Sequence, residues 1–148
     1  MRLEMGYPDR ASEVLVVMSD CAGVDPDDLP AVVDIPTLQA AIAQVRTVRI
    51  DHAVVDYAAS ITSATRQHKD IRYGASPRGT IALVRAAQAI AAIGRRAYVT
   101  VDDIKKVAHA VLDHRLILKP DADLRQLKAA DLMADLLKNI PVPVAAGA

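Results

Sequence analysis

Gly74-Ala75-Ser76-Pro77-Arg78, and the apolar run that continues from Gly79 through Ile93 to Gly94, is the stretch on which the fold turns. Ser is a favoured N-cap because its side-chain oxygen can accept a first-turn N–H, and Pro at the first helical position gives up an N–H that has no helical partner anyway. Gly94 is the natural place for the helix to end, as a C′ glycine. Between these ends Ile81, Leu83, Val84, Ile90, Ile93 and many alanines leave Arg85 and Gln88 as almost the only polar residues past the first turn. A helix apolar nearly all round predicts the buried centre of a domain, over Ala82 to Ile93.

Helical patterns continue on both sides. Downstream, Thr100 and Asp103 form a capping-box pair in which Asp replaces the usual Glu or Gln, and Ile104, Val107, Ala108, Val111 and Leu112 follow at helical spacing. Lys119-Pro120 marks a break, a last amphipathic helix carries Leu132, Leu136 and Leu137, and the tail from Pro141 reads as frayed. Upstream, Asp51 is an N-cap for a helix with Val54, Tyr57, Ala58, Ile61 and Thr65 on one side, and Thr37 caps a shorter helix through about Gln44. Residues 19–36, with three prolines and several aspartates, read as a loop that holds Cys21 and an extended Val32-Val33. From Asp9 the pattern is helical again, with Val14, Val17 and Met18 on one face, and Met1 to Met5 resembles a strand fragment. The extended pieces Val48–Ile50 and Tyr98-Val99 each precede a capped helix, so they are expected to pair as a miniature sheet.

Composition narrows the function classes. The 148 residues are 52% hydrophobic and 24% charged, enough for one globular core, and 18 basic residues balance 18 acidic ones. With no net field and only 3% aromatic residues, neither a polyanion-binding surface nor a stacking platform for single-stranded nucleic acid is indicated. One cysteine suits a reducing compartment, the acidic residues Glu4, Asp9 and Glu13 interrupt any signal-peptide core, and no run reaches the roughly 20 apolar residues of a membrane span, so a cytoplasmic protein is expected.

Few side chains carry recognisable chemistry. Gly74 and Gly79 have the spacing of a phosphate-binding loop, but Thr80-Ile81 stands where Lys and then Ser or Thr are required. His52, His68, His109 and His114 lack metal-ligand spacing, Asp25-Pro26-Asp27-Asp28 lacks the glycine and glutamate of a calcium loop, and no serine or cysteine has an activating neighbour. Arg78 stands out because a cation in a first helical turn opposes the helix dipole. Two readings are open: a phosphate site made by the helix N-terminus and a guanidinium, or a solvated surface arginine. Arg85, on the same face, reads as a stem packed on the core with its charge at the rim.

The order and spacing of Gly6-Tyr7-Pro8, Thr65-Arg66, Gly74-Ala75-Ser76-Pro77-Arg78, Gly94-Arg95, Tyr98-Val99-Thr100, Asp102-Asp103-Ile104 and His114-Arg115-Leu116-Ile117-Leu118 resemble the lid of MoxR-type AAA+ ATPases, over about residues 2 to 143. The resemblance implies an all-α lid bundle of about five or six helices with at most a very small two-stranded sheet. It implies residues 1–7 as a remnant of the last strand and linker of an α/β base domain, 8–140 as the lid, and 141–148 as a tail. It makes Arg78 the "sensor 2" arginine that reaches nucleotide phosphate, with Ser76 and Pro77 supporting it at the helix N-terminus and Tyr7 and Pro8 on the adenine side. ATP and Mg²⁺ would serve the whole ATPase and not bind tightly here, because the Walker motifs are missing from these residues. Implied partners are the base domain, neighbouring subunits of a ring, and a protein with a von Willebrand factor A domain, in chaperone-like assembly of client complexes. The competing reading is an independent helical protein-interaction or histone-like module, against which the zero net charge counts.

Overall fold

Side-chain caps set most of the helix starts. The structure, a computed structural model, describes residues 1–143, and the helices that start at Arg10, Ile35, His52 and Val101 do so where a carboxylate or hydroxyl takes first-turn N–H groups. α1 (Arg10–Cys21) starts on Asp9, which accepts the Ser12 N–H at 2.7 Å. α2 (Ile35–Arg46) starts behind Asp34, which accepts the Thr37 N–H at 2.8 Å, so the cap lies before Thr37 and the helix outruns Gln44. α3 (His52–Gln67) starts on Asp51, as expected. There follow β1 (Ile71–Tyr73), α4 (Pro77–Ile93), α5 (Val101–Leu112), β2 (Ile117–Leu118), α6 (Pro120–Leu124) and α7 (Ala129–Asn139), with 3₁₀ turns at Pro26–Asp28 and Asp113–Arg115. The fold is all-α with one tiny antiparallel sheet. Seven α-helices among the described residues exceed the five or six expected, the extra one being α6, where only a break at Lys119-Pro120 was read.

The chain divides into two units, Leu3–Ala41 and the remainder, Met1–Arg2 with the chain from Ile42. Within the first, α1 extends through Cys21, so that cysteine is helical and exposed and does not lie in a loop. None of its α1 residues is buried, and Val14, Val17 and Met18, read as sharing one face, are exposed because this unit packs nothing over them. Met1 to Asp9 forms neither helix nor strand.

The core belongs to the second unit. Val54, Tyr57, Ala58 and Ile61 of α3 and Ile104, Val107, Ala108, Val111 and Leu112 of α5 are buried, as their spacing predicts. α4 is more two-sided than its composition suggests. Gly79, Leu83, Ala87 and Ala91 form a buried stripe at intervals of four, while Ile81 and Ile93 are 52% and 78% exposed. Small residues on that stripe let α5 approach closely: a Cβ on Gly79 would lie 3.3 Å from Leu112 Cδ2. α7 adds Leu132 and Met133, and Gln88 of α4 donates to the Val48 carbonyl at 2.9 Å.

Pairing of Val48–Ile50 with Tyr98-Val99 reduces to one parallel bridge, Arg49 with Tyr98, with N–H donations from Arg49 to Ala97 O and from Val99 to Arg49 O. The two-stranded sheet lies elsewhere, Ile71 opposite Leu118 and Tyr73 opposite Ile117. Neither strand shows alternation in the sequence long enough to announce it. Behind β1, Arg125 pairs with Asp70 and holds its carboxyl below the usual range.

The α4–α5 turn is the tightest piece of chemistry in the fold. Gly94 keeps a negative φ, and Arg95, at φ 53°, takes the left-handed position expected of the glycine. Arg95 N–H then reaches Ala92 O and Arg96 N–H reaches Ala91 O, a Schellman closure displaced by one residue. That turn aims the Arg96 guanidinium at Asp103, which it meets with two bonds of 2.6 and 2.7 Å. Asp103, 1% exposed, also accepts from the Thr100 N–H and hydroxyl at 2.9 and 2.8 Å and completes the predicted capping box. Arg96 first, then the Thr100 bonds, hold its carboxyl down at about 2 against the burial that would raise it.

Two outcomes follow. Lowered from 3.8 to about 2, the Asp103 carboxyl contributes about 2 kcal/mol that is fully present above pH 4 and is lost as pH falls from about 4 toward 2. Denaturant melts of wild type and Asp103→Asn should therefore differ most near neutrality and converge in acid; a constant gap down to pH 2 would exclude this origin. Gly74 makes a different point, since a Cβ there would sit 2.6 Å from Arg66 N and from Thr65 C, both backbone atoms that cannot step aside. Gly74→Ala should cost about 3 kcal/mol by overpacking. Gly23→Ala, at positive φ but in open space, should cost only about 1 kcal/mol. Equal melting temperatures for the two variants would rule out the close approach.

Candidate functional site

The last turn of α3 builds the platform on which α4 begins. Thr65, buried, bonds the Thr62 carbonyl through its hydroxyl at 2.6 Å and accepts the Ala75 N–H at 2.9 Å. The next residue, Arg66, donates from Nη1 to the Ala75 carbonyl at 2.7 Å. Both backbone groups of Ala75 are thus held by consecutive residues of α3, directly after the close approach at Gly74. One turn into α4, the Thr80 and Thr62 hydroxyls meet at 2.7 Å. The Gly74–Arg78 turn is therefore fixed at its base by two side chains of α3, and the Thr62–Thr80 bond ties the following turn of α4 to the same helix.

What the turn presents is open. Ser76, Pro77 and Arg78 are all exposed. Ser76 has the extended backbone of an N-cap, yet its hydroxyl makes no capping bond; the Gly79 N–H goes to the Ser76 carbonyl at 2.7 Å instead. The expected side-chain cap is thus replaced by a backbone one. Among the described residues Arg78 has no ion-pair partner. Segment 66–78 carries Arg66, Lys69, Arg72 and Arg78 against Asp70 alone, and Asp70 is taken by Arg125. The local field is positive. Such an arrangement can bind anionic oxygens by charge, by N–H groups at a helix start and by guanidinium geometry.

Other expected residues fall elsewhere. Tyr7 and Pro8 lie in the Leu3–Ala41 unit and are exposed, Tyr7 completely. Arg85 is exposed on α4 beside a shallow groove with Ile42, Val45 and Gln88. His109 bonds Asp113 at 3.0 Å, and burial lowers the pKa of His114. Among the described residues no three His, Cys, Asp or Glu side chains are grouped to hold a metal. Sequence reasoning overlooked Thr62, Thr80 and the role of Arg66. The one available signal was Thr65-Arg66 standing before a glycine turn. His114–Leu118 supplies β2, which pairs with β1 and so supports the strand that leads into the Gly74 turn.

Comparison with known proteins agrees with this architecture. Residues 63–136, half of the chain, match the family described as AAA lid domain. The protein YeaC of Bacillus subtilis is 35% identical over 97% of this chain and 45% of its own. The chaperone MoxR1 of Mycobacterium tuberculosis is 26% identical over 96% of this chain and 40% of its own. A crystal structure from Cytophaga hutchinsonii, described as a candidate ATPase, superposes with a TM-score of 0.82 at 26% identity, over 97% of this chain and 46% of that one. The chain spans less than half the length of these relatives. With the helical bundle, the Gly74–Arg78 turn and these similarities in agreement, the chain belongs to the AAA lid domain family, as a lid of the MoxR type.

Proposed function

We propose that this lid reads the phosphates of ATP bound to an AAA+ base domain, with Arg78 as the sensor 2 arginine, and passes nucleotide state into chaperone-like remodelling of client complexes. The observation that carries the reading is an exposed guanidinium, without an ion-pair partner among the described residues, on a helix start anchored to α3 by Thr65, Arg66 and the Thr62–Thr80 bond. An arginine in a first turn opposes the dipole by about 0.3 to 1 kcal/mol, a cost that an anion at the same place offsets. Ser76 and Pro77 support this role, since the uncapped serine hydroxyl and the exposed turn leave room for phosphate oxygens. Tyr7 and Pro8, in a separate unit, are proposed for the adenine side on the resemblance alone.

ATP and Mg²⁺ belong to the whole ATPase in this reading. Phosphate fits the residues present here; a metal ion does not, as the described residues bring no ligand cluster together. When bound, Mg²⁺ neutralises phosphate charge in the base domain, and this chain's part is to bind and orient phosphate through Arg78. By itself the lid should neither hydrolyse ATP nor hold it tightly. Its partners are then its base domain and neighbouring subunits of a ring, in the cytoplasm, with a von Willebrand factor A domain protein among those it serves. That the M. tuberculosis relative is a chaperone supports the remodelling role. No helix described is long and apolar enough to cross a membrane.

Arg78→Ala in the ATPase that carries this lid should cut turnover about tenfold to hundredfold, since charge-assisted bonds to phosphate are worth about 1.5 to 3 kcal/mol each. Arg78→Lys should recover only part, because a point charge cannot make the bidentate fork. Melting temperature should hardly change, as the side chain is exposed and fills no core volume. Unchanged turnover would reduce Arg78 to a surface charge, and a collapsed melting temperature would make it structural.

A further inference from the structure

Thr65 and Arg66 hold the same residue, Ala75, but they are not equivalent. Thr65 is fully buried, and its hydroxyl serves two bonds inside the core. Arg66 is exposed, sits in the last turn of α3 and spends one N–H on the Ala75 carbonyl. Loss of Thr65 would leave a buried N–H without a partner; loss of Arg66 would take from the carbonyl of Ala75, itself 1% exposed, a donor that reaches it from the outer side. A bond from an exposed side chain that fixes the direction of a backbone carbonyl is suited to a positioning role. Three residues beyond Ala75 stands Arg78, and between them Ser76 and Pro77 are exposed and make no side-chain bond that would fix the turn from its outer side.

We infer that Arg66 is a positioning residue for Arg78: its guanidinium, bound to the Ala75 carbonyl, sets the direction in which the first turn of α4 delivers the Arg78 side chain to an anionic phosphate. The inference rests on the reading of Arg78 given above and extends it to a residue of α3 that acts through the Ala75 carbonyl. Arg66 acts on the peptide plane that enters the helix. Thr65 fixes the N–H side of Ala75 and Arg66 the carbonyl side, so removing Arg66 frees the plane between Ala75 and Ser76 while Thr65 still anchors the chain. Displacements near 1 Å at a reacting group can cost up to about a hundredfold in rate, so a small swing of this turn is enough to be read in turnover.

The test is a mutant cycle on the ATPase carrying this lid, with turnover and melting temperature measured on Arg66→Ala, Arg66→Lys, Arg78→Ala and the double variant Arg66→Ala/Arg78→Ala. Arg66→Ala should lower turnover about threefold to tenfold with a melting temperature lowered by only about 3 to 6 °C, the loss of one part-buried bond. Arg66→Lys, which keeps one donor for the carbonyl, should come back to within about twofold of wild type. On the Arg78→Ala background Arg66→Ala should add less than about twofold, because a residue that works only through Arg78 has nothing left to position. Losses that multiply in the double variant would overturn the inference, as would normal turnover of Arg66→Ala in a protein that Arg78→Ala impairs. A fall in melting temperature beyond about 6 °C, shared by Arg66→Ala and Arg66→Lys, would assign Arg66 to folding instead. Normal turnover of Arg78→Ala would remove the phosphate reading itself, a result distinct from failure at Arg66.

Discussion

A single buried carboxylate organises the end of α4 and the start of α5. Asp103 is 1% exposed, and an ionised group so placed is tolerable only when its oxygens are fully paired. Arg96 supplies two N–H bonds and Thr100 two more donors, which leaves the α4–α5 connection very little freedom. Arg96 can reach only if the chain reverses at residue 95, so the strain of a left-handed arginine is part of the same arrangement. Tyr98, within that connection, also forms the parallel bridge to Arg49, which lies between α2 and α3. The cost of one unfavourable φ is offset by a charge-assisted pair that also caps α5.

Fixed at one end by this cluster, α4 is fixed at the other by α3. A helix of 17 residues spans about 25 Å, and its buried stripe of Gly79, Leu83, Ala87 and Ala91 runs between the two anchors. The glycine and alanines on that stripe exchange side-chain volume for close approach of α5, so sliding or rotation of α4 would drive Leu112 and Ala75 into occupied space. Arg78 is therefore attached to a stiff element. The stiffness comes from backbone and small side chains and not from the arginine, whose own side chain is free to move toward a ligand.

The parts of this arrangement that were legible in the sequence are those governed by near neighbours. Asp51 and Asp9 announce helix starts through local capping, Thr100 and Asp103 announce a capping box, and the apolar positions of α3 and α5 recur at helical spacing. Ser76-Pro77-Arg78 located the candidate site for the same reason. What stayed hidden depends on residues far apart in the chain. β1 and β2 are three and two residues long and pair across a gap of more than forty, so no alternation could mark them. Arg95 was missed because glycine is the general choice for a left-handed cap, and only the Arg96–Asp103 pair makes the neighbouring position preferable. The exposed faces of α4 misled for a further reason. Apolar composition predicts burial only when another element is there to cover it, and Ile81 and Ile93 have no such cover among the described residues.

The Leu3–Ala41 unit sharpens that last point. Its α1 has a good cap on Asp9 and an apolar run from Val14 to Met18, yet buries none of its residues. A helix of twelve residues is marginal by itself in water, because nucleation is costly and most helical stability in proteins comes from packing one face. Local capping can add about 1 kcal/mol and no more. Each of those side chains would contribute roughly 1.5 to 3 kcal/mol if fully covered. Cap and pattern thus encode α1 as a helix meant for burial, while its own unit gives it nothing to be buried against. The two units accordingly carry stability in different ways: from Ile42 onward it is stored in contacts already made, and in Leu3–Ala41 it waits on contacts that this unit does not make for itself.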